Sequence, residues 1–581
     1  MKYYPRLSEI PTTREMVDVF RGYNHNLRIG DGEFYDMKNL CSANYPVLSP
    51  RPKRGVYASP STLGGMIGKD TLCYVDGGDF VIDEKRIQMG LTTDNAPKTL
   101  ISMGAYVIIM PDKKYINTED LTDYGPIEAG VTSASTVTFS LCKNDGTAFE
   151  KVEISATPPT YPVNMMLWLD TSSVPNALKQ YSASSSMWVS VASTYIKISA
   201  AGIGAPFADG DGVSISGITS PALADLNSKM IIWSRGDDYI VVTGILAEVT
   251  TQETPITITR NMPNMDFIIE SENRLWGCRY GESENGEIVN EIYASKLGDF
   301  KNWNSFMGVS TDSYVASVGT DGPFTGAITH MGYPLFFKEG CMHKVYGNYP
   351  ANYQIQTTAC RGVQRGCSRS LAIVNEVLYY KARSAVCAYD GSLPVEISSA
   401  LGDVQYTAAV AGALGNKYYI SMLDPNNKHH LFVYDALKGM WHREDDTKVR
   451  AFCNNRGELY YIDGADNKIR TVLGSGTLDT SPVKWMAETG VIGTDSPDKK
   501  YISKLDVRMY LDMGARAFFY IQYDSSGAWE HIYTAKGEDH LRSFAVPIRP
   551  LRCDHLRLRI EGEGYANIYS ICKTIEQGSD K

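Results

Sequence analysis

The chain has 581 residues, of which 43 % are hydrophobic and 21 % charged, with a formal net charge of −10 at pH 7. That length exceeds a single compact core and predicts several folded units. The negative charge excludes a general nucleic-acid binder, which a phosphate backbone would repel.

Thirty-seven Tyr, seventeen Phe and 51 Gly favour many short strands joined by tight turns. No stretch holds apolar residues at helical spacing over three turns, so the chain reads as all-β. Residues 1–60 carry Pro5, Pro11, Pro46, Pro50, Pro52 and Pro60. They predict an extended N-terminal arm that wraps the body or a neighbouring subunit. Within it, Arg51-Pro52-Lys53-Arg54 reads as a solvated basic loop.

A repeat begins at residue 61. Leu72-Cys73-Tyr74-Val75 is followed by Phe80-Val81-Ile82, and Tyr106-Val107-Ile108-Ile109-Met110 by Lys114-Tyr115-Ile116. The same pair of runs returns at Leu275-Trp276, Leu335-Phe336-Phe337, Leu378-Tyr379-Tyr380, Tyr418-Tyr419-Ile420 and Leu459-Tyr460-Tyr461. The last four are spaced by 43, 40 and 41 residues, the period of a propeller blade, whose sheet buries both faces only against its neighbours. The expected fold is therefore a six- or seven-bladed β-propeller formed by residues 61–130 and 261–480. An insertion of small β modules is expected at 131–260, one around Leu167-Trp168-Leu169, Tyr181 and Trp188, the other around Val213, Ile215 and Tyr239-Ile240-Val241-Val242. From 481 to 581, apolar residues alternate with Arg or Asp, as in Leu556-Arg557-Leu558-Arg559-Ile560, which predicts a C-terminal β-sandwich.

Residues that carry chemistry are sparse. Eleven Cys are scattered with no CxxC spacing, so they read as free buried thiols. The nine His show neither HxH nor HExxH spacing, and His429-His430 beside the turn at 424–428 reads as solvated. Asp209-Gly210-Asp211-Gly212 lacks the later carboxylates of a calcium loop and reads as a turn. Glu444-Asp445-Asp446 reads as a solvated loop, since consecutive acids do not flank a sugar as a glycosidase pair must. Tyr523-Asp524-Ser525-Ser526-Gly527-Ala528-Trp529 is close to the Asp-box hairpin of sialidase propellers, a structural turn. No catalytic, cofactor-binding or metal-binding residue is assigned, no cofactor is expected, and the chain is expected not to be an enzyme. No apolar run reaches the length of a membrane helix, and the opening residues lack the apolar core of a signal peptide, so none is expected.

Arg28-Ile29-Gly30-Asp31-Gly32-Glu33-Phe34-Tyr35, within residues 22–40, and Tyr45-Pro46-Val47-Leu48-Ser49-Pro50-Arg51 resemble the opening of tail proteins encoded in prophages of Gram-positive gut bacteria. The run from Leu167 to Trp188 is similar to small β modules of tail and fibre proteins. A propeller followed by a sandwich also resembles the tail-hub and nozzle proteins of short-tailed phages. The resemblance implies a structural subunit of a virion tail, made in the host bacterial cytoplasm. It implies a homo-oligomeric, six-fold ring between portal or adaptor proteins and distal tail or fibre proteins, around a channel for DNA. The alternative reading is a tail receptor-binding or glycan-degrading propeller protein. No family catalytic residues are carried over.

Overall fold

In a computed structural model of the chain, the described residues are 12–93, 97–134, 136–283, 286–494 and 498–577. The fold is all-β: the blades of a β-propeller, an inserted β region and a C-terminal β-sandwich. Blades 1 to 5 are four-stranded sheets at 63–88, 99–126, 267–317, 326–359 and 372–396. Blade 6 spans 407–443, and blade 7 spans 449–471 with a further strand borrowed from Gly55–Ala58.

Each repeated apolar run falls on the second strand of a blade, and each follower on the third. These two strands are flanked by others on both sides and covered on both faces. They therefore carry continuous apolar runs, as in Lys417–Leu423, where Tyr418, Ile420 and Met422 are all completely buried.

The chain divides into two compact units, one of residues 1–97, 337–342 and 358–581, the other of 98–336 and 343–357. In the first unit, the segment expected as an arm is threaded into the unit's own sheets. Gly55–Ala58 pairs antiparallel with Ile469–Thr471 and completes blade 7. Thr12–Val17 edges one sheet of the sandwich against Ala566–Gln577. Glu33–Lys38 edges the other sheet against Lys484–Thr489. Between them, Gly22–Tyr23 pairs parallel with Glu33–Lys38 and antiparallel, at Tyr23, with Trp441 of blade 6. Blade 6 and this second sheet of the sandwich are thus one hydrogen-bonded sheet of ten strands. Pro46, Pro50, Pro52 and Pro60 sit between these strands or at strand ends, where no ladder N–H is needed, and Pro5 and Pro11 lie outside the described residues. Tyr23 and Phe34 are buried, whereas Leu27 stays exposed.

In the second unit, the insertion leaves and returns on adjacent strands, with Ala129 opposite Arg260. A four-stranded and a five-stranded sheet enclose a core of Val137, Phe139, Ile198, Val213, Ile240 and Ile258, each contributing roughly 1.5–3 kcal/mol by burial. A further four-stranded sheet, 152–190, is nested in sequence between strands of the five-stranded one and, among the described residues, pairs only with itself. Its entry and exit are again neighbours, Cys142 opposite Tyr195.

Candidate functional site

The sandwich of the first unit holds a pocket of about 380 Å³. Its floor is the inner face of the sheet edge, where Thr13, Glu15 and Val17 lie opposite Ile575, Lys573 and Ile571. Alternation puts these six on one face. Further along that face lie the buried Leu505 and Val507, partners of Lys573 and Ile571. The pocket is covered by two glycine-containing loops, 29–33 and 489–494. Gly32 has φ +86 and a side chain there would strike the Val19 carbonyl at 2.3 Å, so only glycine passes. Gly490 lies against Ile29, leaving no room for a Cβ between the loops.

Lys573 is the centre of the pocket's charge. Its Nζ lies 2.9 Å from Glu15 Oε2 and 3.1 Å from Asp31 Oδ1, with the side chain 7 % exposed. An ammonium has three donors, so these two carboxylates leave one N–H for a ligand. The two carboxylates are 38 % and 60 % exposed and keep acceptor oxygens towards water. Glu33 Oε2 accepts from Gly30 N–H at 2.7 Å. Phe20, Ile29, Phe34 and Leu558 supply apolar wall. Donor and acceptor side by side against an apolar wall suit a neutral, hydroxyl-rich group. The sequence signal was a lysine within the apolar alternation Ile571, Lys573, Ile575; it went unread because charge alternates throughout this domain.

The two charge runs expected to be solvated loops are in fact joined to each other. Arg54 Nη2 donates to Glu444 Oε2 at 2.6 Å and Arg54 Nη1 lies 2.9 Å from Asp445 Oδ2. Arg51 reaches the same two carboxylates at 3.7 and 3.5 Å. Burial alone would lift the Asp445 pKa, but Arg54 and then Arg51 outweigh it and bring it down to about 2. The third acid, Asp446, pairs with Arg443, which also contacts Asp36 at 3.1 Å. Opposite clusters far apart in the chain neutralise one another, so neither needs water.

His429 and His430 also leave the solvent expected for them, opening the strand His429–Asp435. His430 Nε2 lies 3.0 Å from Asp424 Oδ2, and its Nδ1 accepts from Arg443 Nε at 3.1 Å. Burial pushes both imidazoles below the usual histidine range. Asp211, from the expected turn, is a buried partner of Arg260, at 2.5 Å, at the root of the insertion. Arg260 Nη2 also donates to Ile127 O at 3.2 Å. The Asp-box hairpin joins Arg516–Tyr523 to Glu530–Lys536, with the Arg559 guanidinium 4.1 Å from the Trp529 ring centroid. All eleven thiols are free; burial pushes those of Cys73 and Cys453 up to about 12.

The sequence matches no family model, and no curated protein matches it. Solved structures align with it at low similarity. An exo-β-1,3-galactanase from Phanerochaete chrysosporium bound to galactose is 9 % identical over 53 % of this chain and 94 % of its own, with a TM-score of 0.21. An acylaminoacyl peptidase from Pyrococcus horikoshii is 10 % identical over 50 % and 47 %, with a TM-score of 0.25. A Trypanosoma rangeli sialidase in complex with sialic acid is 8 % identical over 91 % and 95 %, with a TM-score of 0.16. The expectation that the chain is not an enzyme is corrected here: these aligned structures are enzymes, and that expectation is withdrawn. The alignments transfer no substrate and no residue to this chain.

Proposed function

We propose that this chain is a structural subunit of a bacteriophage tail, a hub, nozzle or adaptor ring subunit around a DNA channel. The observation that carries the reading is the ten-stranded sheet from blade 6 to the sandwich. Force on the sandwich passes into blade 6 through ladder hydrogen bonds rather than through a linker, which suits a part that holds a virion together. The negative net charge suits a channel wall to which DNA does not adhere. Identical subunits joined head to tail close into a ring, six-fold by the family resemblance, with portal or adaptor proteins on one side and distal tail or fibre proteins on the other. The test is electron microscopy of the purified protein and of the virion. Closed rings, and antibody label at the tail, support the reading; a monomer at all concentrations with no label on particles overturns it.

A second reading, a tail protein that binds or acts on glycans, is favoured by the pocket at Lys573. Calorimetry with neutral monosaccharides and disaccharides tests it. Saturable binding that Asp31→Asn weakens at least tenfold supports it, and no heat from any of them rejects it.

A further inference from the structure

We propose that the turn at 523–527 and the neighbouring residues Asp554 and His555 form a serine-nucleophile site that cleaves carboxylic esters. Ser525 Oγ lies 2.7 Å from His555 Nε2, and His555 Nδ1 lies 2.8 Å from Asp554 Oδ2. An ionised carboxylate can only accept, so Asp554 holds the imidazole proton on Nδ1. Nε2 is then the acceptor for the Ser525 hydroxyl proton. Nucleophile, base and orienting acid stand in the order that activates a serine, and such sites are recognised by geometry rather than by sequence position.

The surrounding backbone holds this chain of contacts in place. Asp524 and Ser525 have φ of +48 and +51, left-handed conformations that cost on the order of 1 kcal/mol each for residues other than glycine. They set Ser525 exposed at the hairpin tip. Asp524 Oδ1 accepts from the N–H groups of Asp554 and His555 at 2.7 and 3.3 Å. Asp524 N–H donates to His555 O at 3.0 Å. Three bonds thus tie the base to the turn that carries the nucleophile. The His555 side chain is 24 % exposed, so its ring is held while one edge stays open to the serine. The N–H groups of Ser525 and Gly527 donate to no acceptor among the described residues. The same turn therefore carries two unspent donors of the kind that stabilise an oxyanion.

The chemistry balances with water as the only co-reactant. Ser525 Oγ bonds to the ester carbonyl carbon while its proton passes to His555 Nε2. The bond to the alcohol oxygen breaks and that oxygen takes the proton from His555. Water, deprotonated by His555, then attacks the acyl-serine. The carboxylic acid leaves, and the serine recovers its proton. The site is assigned to esters rather than amides, because an alkoxide leaves the tetrahedral intermediate more readily than an amide anion.

The full-length protein is incubated with 4-nitrophenyl acetate and, separately, with a fluorophosphonate that labels activated serines. The expected result is nitrophenolate release at least 100-fold lower in Ser525→Ala, and at least tenfold lower in Asp554→Asn, with Ser543→Ala, at a serine on a separate strand of the sandwich, unchanged. Peptide mass spectrometry should place the phosphonyl group on Ser525. Ser525 is exposed, so the alanine variant is expected to keep the parent's thermal unfolding curve, which is recorded alongside. Equal turnover by the parent and Ser525→Ala, or no adduct on Ser525, overturns the proposal and leaves the contacts as a pin for the hairpin. Neither result depends on tail assembly or on the pocket at Lys573.

Discussion

Arg54 and Glu444 stand 390 positions apart in the chain, and their side chains meet at 2.6 Å, both almost completely buried. The pair ties the residues leading into the strand Gly55–Ala58 to the end of blade 6. Removing one partner strands the other charge away from water. Arg54→Met or Glu444→Gln should each lower stability by about 3–5 kcal/mol, read from urea midpoints. The double change Arg54→Met with Glu444→Leu should be milder than the sum of the two single losses, because it leaves no orphan on that contact.

Acid should unfold the first unit in a window set by His442. Burial, followed by repulsion from Lys417, lowers its pKa to about 3, from an ordinary value near 6.5. The unfolded chain takes up the proton between those values and the folded one does not, so stability is present above pH 6.5 and is lost as pH falls towards 3. The loss should be on the order of 4 kcal/mol and should be flattened in His442→Gln. Asp445, held at about 2 by the arginines against its burial, adds a further loss below the ordinary carboxylate range. Urea midpoints measured from pH 7 to pH 3 check the histidine component.

Deleting residues 12–40 should abolish folding of the first unit rather than only its assembly. The deletion removes an edge strand from both sandwich sheets and the two-residue strand that joins blade 6 to them. Expression as insoluble protein, or loss of the cooperative transition, is the expected outcome.

The nested sheet at 152–190 should be dispensable. Among the described residues it pairs only with itself, and Cys142 and Tyr195, which bracket it, are direct partners. Excisions are tolerated where the ends already meet. Replacing residues 150–192 with a short Gly/Ser linker should leave the unfolding temperature of the rest within a few degrees. By contrast, Asp211→Asn at the root of the insertion should cost about 3–5 kcal/mol, because it breaks a buried ion pair.

The propeller was legible because its two inner strand positions are apolar without interruption, as at Leu378-Tyr379-Tyr380 and Leu459-Tyr460-Tyr461. The outer strands, such as Val395–Glu396 with both residues exposed, bury little and leave no pattern, which is why the blade number stayed at six or seven. The first sixty residues were misjudged for a related reason. Strands of two residues, such as Gly22–Tyr23, are shorter than any period. The charge runs at 51–54 and 443–446 carry no local sign of being partners. The contact of Ser525 with His555 was hidden likewise, since it joins a hairpin tip to a loop 30 residues further on.

The closing strand of blade 7 is made early in synthesis and its partner late. Gly55–Ala58 leaves the ribosome with its ladder groups unmatched, and Ile469–Thr471 follows more than 400 residues later. For most of translation, the nascent chain therefore carries an open edge able to accept a foreign strand. A product terminated before residue 469 keeps that edge permanently, so incomplete chains are the aggregation-prone species and the finished chain is the one that covers it.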